Sequence, residues 1–426
     1  MVKRVLFAFP DYSHTCLRSI KLFVNQGFEV DIAVAYHFKW IPFFFKWMPN
    51  NSLKKLYKRR EIVEELLHTV PPKTISFKHL SLIQFLKSFY KGYFVRKRPF
   101  YNILKDMIQE DLCSTLNYQR YSILYLFDTV AYLFQEEAKK EGLKTILECR
   151  GPHFYFSQNL RLQLLATKRN EVAQKYVPDN ENDEWWFRKL TSEPEMADYL
   201  ICYSDFHAKQ YVDYSSKQLH DIFILPLPST ISKSKVIKVN KTNRVSFYFA
   251  GNVTSIKGVD QLLAAWKMVQ ASLKDNQKAT LHIYGFCVES TYLQEFKSIS
   301  SINFHGKLMH SDLMESIKQH DVCIFPSLLD SYGFALQEAI QLNTPIISNY
   351  TSGASFLYEH NLHGFKCSDS YAIEELATYI NRFIESPSLV EQFSTAMADL
   401  PNYDESYMNH VGQKNIQNLF TELGNR

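Results

Sequence analysis

Short apolar runs alternate along this chain with stretches in which apolar residues recur at helical spacing, and the alternation predicts strands feeding helices. Val5-Leu6-Phe7-Ala8 lies in a strand over residues 4–9, followed by a helix over 15–25 that stops near Gly27 and a second strand over 29–35. Residues 36–100 break the rhythm. It resumes with a strand at 123–127, a helix at 131–141 stopped by Gly142, a strand at 144–149 and a charged helical region over 160–176. A loop at 178–183 and a strand reaching Cys202 follow, and the apolar run at 222–228 closes this half. The second half repeats the unit. Strands at 245–250, 280–284, 302–305, 321–325 and 345–348 alternate with helices, among them one through Leu262, Leu263, Trp266 and Val269 and one over 311–319. A last helix covers 406–420. Strands that are apolar throughout and separated by helices predict buried parallel sheets in a doubly wound α/β arrangement.

A chain of 426 residues exceeds what one core organises and suits two domains. The Ser-, Lys- and Thr-rich stretch 229–243 is the natural flexible linker. We therefore expect a first domain over 1–228, a second over 229–405, and a final helix within 406–426 that packs back on the first. The composition, 46% hydrophobic and 22% charged, is that of a globular protein. A net charge of +4 is too small to argue for nucleic acid. The apolar run after Lys3-Arg4 stops at Pro10-Asp11, short of a signal peptide, and Lys39 and Lys46 interrupt the most hydrophobic region, so no spanning helix is expected. Seven scattered cysteines without paired spacing predict a reduced cytoplasmic setting and no structural zinc.

Charge distribution says more than net charge. Residues 36–100 interleave Lys and Arg with Trp40, Phe43, Phe44, Phe45, Trp47, Phe89 and Tyr93, against Glu61, Glu64 and Glu65 alone. This suits an anionic membrane surface; the plain alternative is a solvated basic insertion with its aromatics packed beneath it, and the same interleaving fits single-stranded nucleic acid, although no RNA-binding module pattern is present.

The chemistry concentrates at Asp330-Ser331-Tyr332-Gly333-Phe334-Ala335-Leu336-Gln337-Glu338, between an apolar strand and an amphipathic helix. Gly333 permits close backbone approach, and the unpaired N–H groups of the helix's first turn attract an anion. Asp330 falls at the carboxyl end of a strand, where open α/β sheets bind ligands, and Glu338 falls about one turn into the helix. Upstream, Gly251-Asn252 after a strand and Lys257-Gly258 before a helix offer a cation to phosphates. His14, Arg150 and His153 also follow strands.

Pro326-Ser327, the acid at Asp330, Tyr332-Gly333-Phe334, Glu338-Ala339 and Asn343-Thr344-Pro345 together resemble the donor-sugar loop of the family 4 (group 1) retaining glycosyltransferases of GT-B fold. Asp330 stands where that family usually has Glu, and Asn252 where it commonly has a basic residue. The resemblance implies two Rossmann-like domains facing each other across a cleft, with a nucleotide-diphosphate sugar on the second and the acceptor on the first. It further implies donor contacts from Gly251, Asn252, Lys257, Asp330, Ser331, Tyr332, Gly333, Phe334, Ala335 and Glu338, with Lys257, Asp330 and His153 at the reacting centre. His14 and Arg150 lie on the acceptor side. The expected reaction is retaining transfer of a hexose-type sugar to a glycan or lipid-linked acceptor, with no cofactor or metal. The expected location is the cytoplasm or the inner face of the plasma membrane. A nucleotide-sugar epimerase of the same fold and a non-catalytic partner subunit are the alternatives. Gly364-Phe365-Lys366 resembles a late turn of the family.

Overall fold

The computed structural model describes residues 4–8, 14–34, 60–61, 63–64, 67–68, 75–79, 110–166, 184–240, 244–273, 278–287, 290–368 and 371–424. Its first sheet contains β1 (Arg4–Ala8), β2 (Glu29–Val34), β3 (Ile75–His79), β4 (Ile123–Phe127), β5 (Lys144–Glu148), β6 (Tyr199–Cys202) and β7 (Ile222–Ile224). These lie in the order β3-β2-β1-β4-β5-β6-β7, with every pairing parallel. The second sheet contains β8 (Arg244–Ala250), β9 (Lys278–Tyr284), β10 (Ile302–Gly306), β11 (Val322–Phe325), β12 (Ile346–Asn349) and β13 (Gly364–Cys367). Its order is β10-β9-β8-β11-β12-β13, again parallel. Each sheet reverses direction of winding once, between β1 and β4 and between β8 and β11, and the carboxyl ends of those strands border a crevice.

Burial explains why these runs became strands. All five residues of β4 and all four of β11 are buried, as expected where helices cover both faces. The helix Ile373–Glu385 shows the complementary pattern: Leu376, Ala377, Ile380, Phe383 and Ile384 form one buried stripe against the second sheet. The last helix, Glu405–Gly424, returns to the first sheet, where Ile416, Leu419, Phe420 and Leu423 join the core and Phe420 meets Phe23 edge-on at 5.0 Å.

Three expectations change. Within 36–100, Ile75–His79 is not an interruption but the edge strand of the first sheet, in register with β2. Its mixed sequence, Ile-Ser-Phe-Lys-His, hides an edge strand because only one neighbour and part of one face must be satisfied. The aromatic and basic residues 39–47 and 85–94 lie outside the described residues, as does the loop at 178–183. Gly364-Phe365-Lys366 is a strand rather than a turn. Gly364 has φ 155°, and a Cβ there would lie 2.1 Å from the Ile346 carbonyl oxygen, so glycine is what allows β13 to pair closely with β12.

The third change concerns 229–243, whose described part is a strap along the second domain and not a free linker. The Asn343 amide donates to the carbonyls of Ser234 and Val236 at 3.0 and 3.1 Å, Lys233 Nζ donates to those of Ile340 and Met397, and the Ser394 hydroxyl accepts the Lys238 N–H. A run rich in small polar residues reads as flexible, but here its backbone is gripped by side chains distant in sequence. The crossing between sheets falls just before it. Arg18, buried on the helix His14–Asn25, donates to the Pro226 and Met408 carbonyls and to Asn409 Oδ1, and so holds both passages of the chain between the halves.

Candidate functional site

The site forms where two loops at the carboxyl edge of the second sheet meet. After β8 the chain passes Gly251, exposed Asn252 and a 3-10 turn, Ser255–Lys257, before the helix Val259–Ser272. Gly258 joins turn and helix at φ 76°. A side chain there would put its Cβ 1.8 Å from the Pro326 carbonyl oxygen, so glycine is required for this turn to lie against the loop after β11. Gln261 Nε2 donates to that same carbonyl at 2.6 Å, and Leu328 N–H donates to the Ile256 carbonyl at 2.9 Å. The result is direct contact between Lys257 and Asp330: Nζ lies 2.5 Å from Oδ2, both half-buried.

Beyond Asp330 the loop is fixed from several sides. Tyr332 N–H donates to Asp330 Oδ1 at 3.2 Å, Gly353 N–H to the Asp330 carbonyl at 3.0 Å, and Asn349 Nδ2 to the carbonyls of Pro326 and Ser327. Gly333, at φ 92°, caps the helix Phe334–Gln341, whose first-turn N–H groups at Phe334 and Ala335 have no acceptor among the described residues. Phe334 is exposed, while Ser331 and Tyr332 are buried. Tyr332 OH donates to the Leu227 carbonyl at 2.6 Å, and Gln337 Nε2 donates to the same oxygen at 2.9 Å, tying the helix Phe334–Gln341 to the crossing segment.

Glu338 does not join the Lys257–Asp330 pair. Its Oε1 takes a hydrogen bond from His310 Nε2 at 2.8 Å and one from Thr230 Oγ1 at 3.5 Å. Burial pushes this carboxyl above its usual range, and His310 pulls it part of the way back. Neither His310 nor Thr230 stood out in the sequence. The available signal was a His opening a helix just after a strand and Gly306, the same position type that drew notice to His153.

The first domain's face is built around the carboxyl ends of β4 and β5. Arg150 is locked to Asp128, with Nε 3.0 Å from Oδ1 and its backbone N–H 2.9 Å from Oδ2; burial lowers its pKa but Asp128 more than reverses this. His153 is buried, its ring edge-on to Tyr211 at 5.1 Å and stacked with Tyr214 at 5.8 Å. The Tyr155 N–H donates to its Nδ1 at 3.3 Å, and burial lowers its pKa to about 4, so it is neutral at pH 7. Across the cleft, Ser204 Oγ donates to the Ser331 carbonyl at 3.3 Å, so the start of the helix Asp205–Tyr214 touches the loop carrying Asp330. His14 is the first residue of its helix. Beneath this face, Glu148 accepts hydroxyl protons from Ser19, Tyr125 and Tyr203 at 2.6–2.8 Å, and burial raises its pKa. This buried carboxyl, inside an apolar strand, did not stand out in the sequence.

Two parallel doubly wound sheets facing a cleft, with the last helix returning to the first sheet, define the GT-B fold. Solved structures agree. Sucrose-phosphate synthase from Thermosynechococcus elongatus superposes with a TM-score of 0.62 at 13% identity, covering 99% of this chain and 100% of its own. Anabaena HepE in complex with UDP and glucose gives 0.57 at 12% identity, covering 98% and 100%. Residues 231–399, which span the strap and the second sheet, match the family model of glycosyl transferases group 1. A UDP-N-acetylglucosamine–peptide N-acetylglucosaminyltransferase GtfA subunit of Streptococcus agalactiae is 27% identical over 212 residues, 49% of this chain and 38% of that protein, so the chain aligns with well under half of this relative's length.

Proposed function

We propose that the chain is a retaining group 1 glycosyltransferase that moves a hexose-type sugar from a nucleoside diphosphate donor to a glycan or lipid-linked acceptor. The observation carrying this is the Lys257–Asp330 contact beside the open N-terminus of the helix Phe334–Gln341, inside the residues that match the family model. A UDP-sugar donor is supported by the UDP held by HepE and by the donor in the name of the Streptococcus relative.

In this reading the diphosphate lies between Lys257 Nζ and the first-turn N–H groups. As the bond from anomeric carbon to diphosphate oxygen breaks, the charge left on that oxygen meets donors that are already in place. The acceptor hydroxyl oxygen forms the new bond on the same face and its proton passes to the departing diphosphate. Asp330 binds hydroxyls of the donor sugar, Glu338 the ribose hydroxyls, and His153, being neutral, offers a hydrogen bond but no charge. The interleaving of aromatic and basic residues between 36 and 100 in the sequence supports a location at the cytoplasmic face of an anionic membrane and a role in envelope polysaccharide or glycolipid synthesis.

Kinetics with a UDP-sugar panel test the assignment. Glu338→Gln loses charge-assisted bonds made before and during reaction, ~1.5–3 kcal/mol, and raises the donor KM. Lys257→Ala removes charge from the leaving group and lowers kcat about 100-fold or more. Unchanged constants in both variants would sink the site.

A further inference from the structure

Glu338 has one oxygen engaged and one open. Oε1 accepts both the His310 Nε2 hydrogen bond at 2.8 Å and the longer Thr230 contact at 3.5 Å, while Oε2 has no partner among the described residues. A carboxylate on a helix rotates about its terminal bond with little resistance, so pinning one oxygen determines where the other points. His310 does this from a separate element, the helix His310–Ile317, and its ring remains half-exposed.

We propose that His310 is a positioning residue for nucleotide binding: it holds Glu338 Oε1 so that Oε2 is aimed at a ribose diol. The role rests on the glycosyltransferase reading above. Against the burial that raises the Glu338 carboxyl, the hydrogen bond from His310 is the largest opposing effect, and Thr230 adds to it. Thr230 comes from the strap, Tyr248 from β8 and Cys323 from β11; burial holds Tyr248 well above its usual pKa and pushes Cys323 up to about 12, so both stay neutral. Without His310, the buried carboxyl loses the hydrogen bond that most opposes its desolvation and takes up a proton at higher pH. A protonated Glu338 loses its ability to accept from both ribose hydroxyls.

The test is calorimetric binding of UDP, GDP and ADP, continued with the tightest of the three and its 2′,3′-dideoxy analogue. Wild type should prefer the ribose form by about tenfold or more, the scale of one or two charge-assisted hydrogen bonds. His310→Ala should bring that ratio close to one, with the loss growing as pH falls from about 8 to about 6. His310→Gln retains an N–H donor and should restore much of the ratio at about pH 8. Wild type that binds none of the three nucleotides overturns the functional reading and this role with it. Wild type that discriminates for ribose while His310→Ala does so equally well overturns the role of His310 alone. A failed rescue by His310→Gln overturns positioning through the hydrogen bond.

Discussion

His207 shows how partners can dictate the charge of a side chain. Its Nε2 lies 2.6 Å from the Gly151 carbonyl oxygen, and the Tyr203 N–H approaches its Nδ1 at 3.3 Å, so the proton must sit on Nε2. A second proton on Nδ1 would face an N–H. Full burial adds to this and lowers the pKa from 6.5 to about 4. A folded-state pKa below the unfolded one gives stability that is present above about pH 6.5 and lost as pH falls towards 4. His207→Phe is therefore expected to be less stable than wild type at pH 7 by about 1–3 kcal/mol, yet to lose less between pH 6.5 and 4, read by urea unfolding across that range. An identical slope would show that His207 protonates as easily folded as unfolded. His14 and His153 drew notice in the sequence because they follow strands. His207 sits inside a helix, three residues after its Ser204 cap, and only the fold brings it to the loop that carries Arg150 and His153.

Among elements, the strap best separates composition from structure. Ser, Lys and Thr in succession read as solvated linker, and the segment has no regular structure of its own. Asn343 holds it. This residue is fully buried, adopts φ 51°, a conformation Asn tolerates, and donates to two strap carbonyls. Asn343→Ala removes both hydrogen bonds to the strap, so chemical denaturation should show a loss of about 1–3 kcal/mol. A change below about 0.5 kcal/mol would mean that the strap is held by its other contacts. The strands were legible for the opposite reason. Ile123 to Phe127 is buried at every position, and a short apolar run of this length is what a strand covered on both faces looks like in sequence. Ile75–His79 was not legible, since an edge strand tolerates Ser, Lys and His.

For the molecule as a whole, the proposed membrane location can be tested apart from the chemistry. Each Lys or Arg near an anionic surface contributes about 1 kcal/mol, and inserted aromatic rings add attraction that salt does not screen. The protein should float with anionic but not zwitterionic liposomes and release only partly in high salt. Replacing Phe43, Phe44, Phe45 and Trp47 with Ser should make the remaining binding fully salt-sensitive. Wild type that fails to float, or a variant that floats equally well in high salt, would favour a soluble acceptor. Among the described residues no helix is long and apolar enough to cross a membrane.

By itself the sequence determined the alternation of strand and helix, the division into two halves, and the two loops on which Lys257 and Asp330 would be found. Those features depend on local periodicity, on glycines that a turn cannot do without, and on side chains adjacent along the chain. Only the tertiary structure decided which charges meet. Lys257 pairs with Asp330 because Gly258 lets two loops touch, while Glu338 faces His310 and Thr230 instead. It also decided that Arg18 would grip both crossings, and that Tyr332 and Gln337 would share the Leu227 carbonyl. Hydrogen bonds between residues far apart along the chain leave no periodic trace in sequence, since each needs only one donor and one acceptor brought within about 3 Å by everything else that folds.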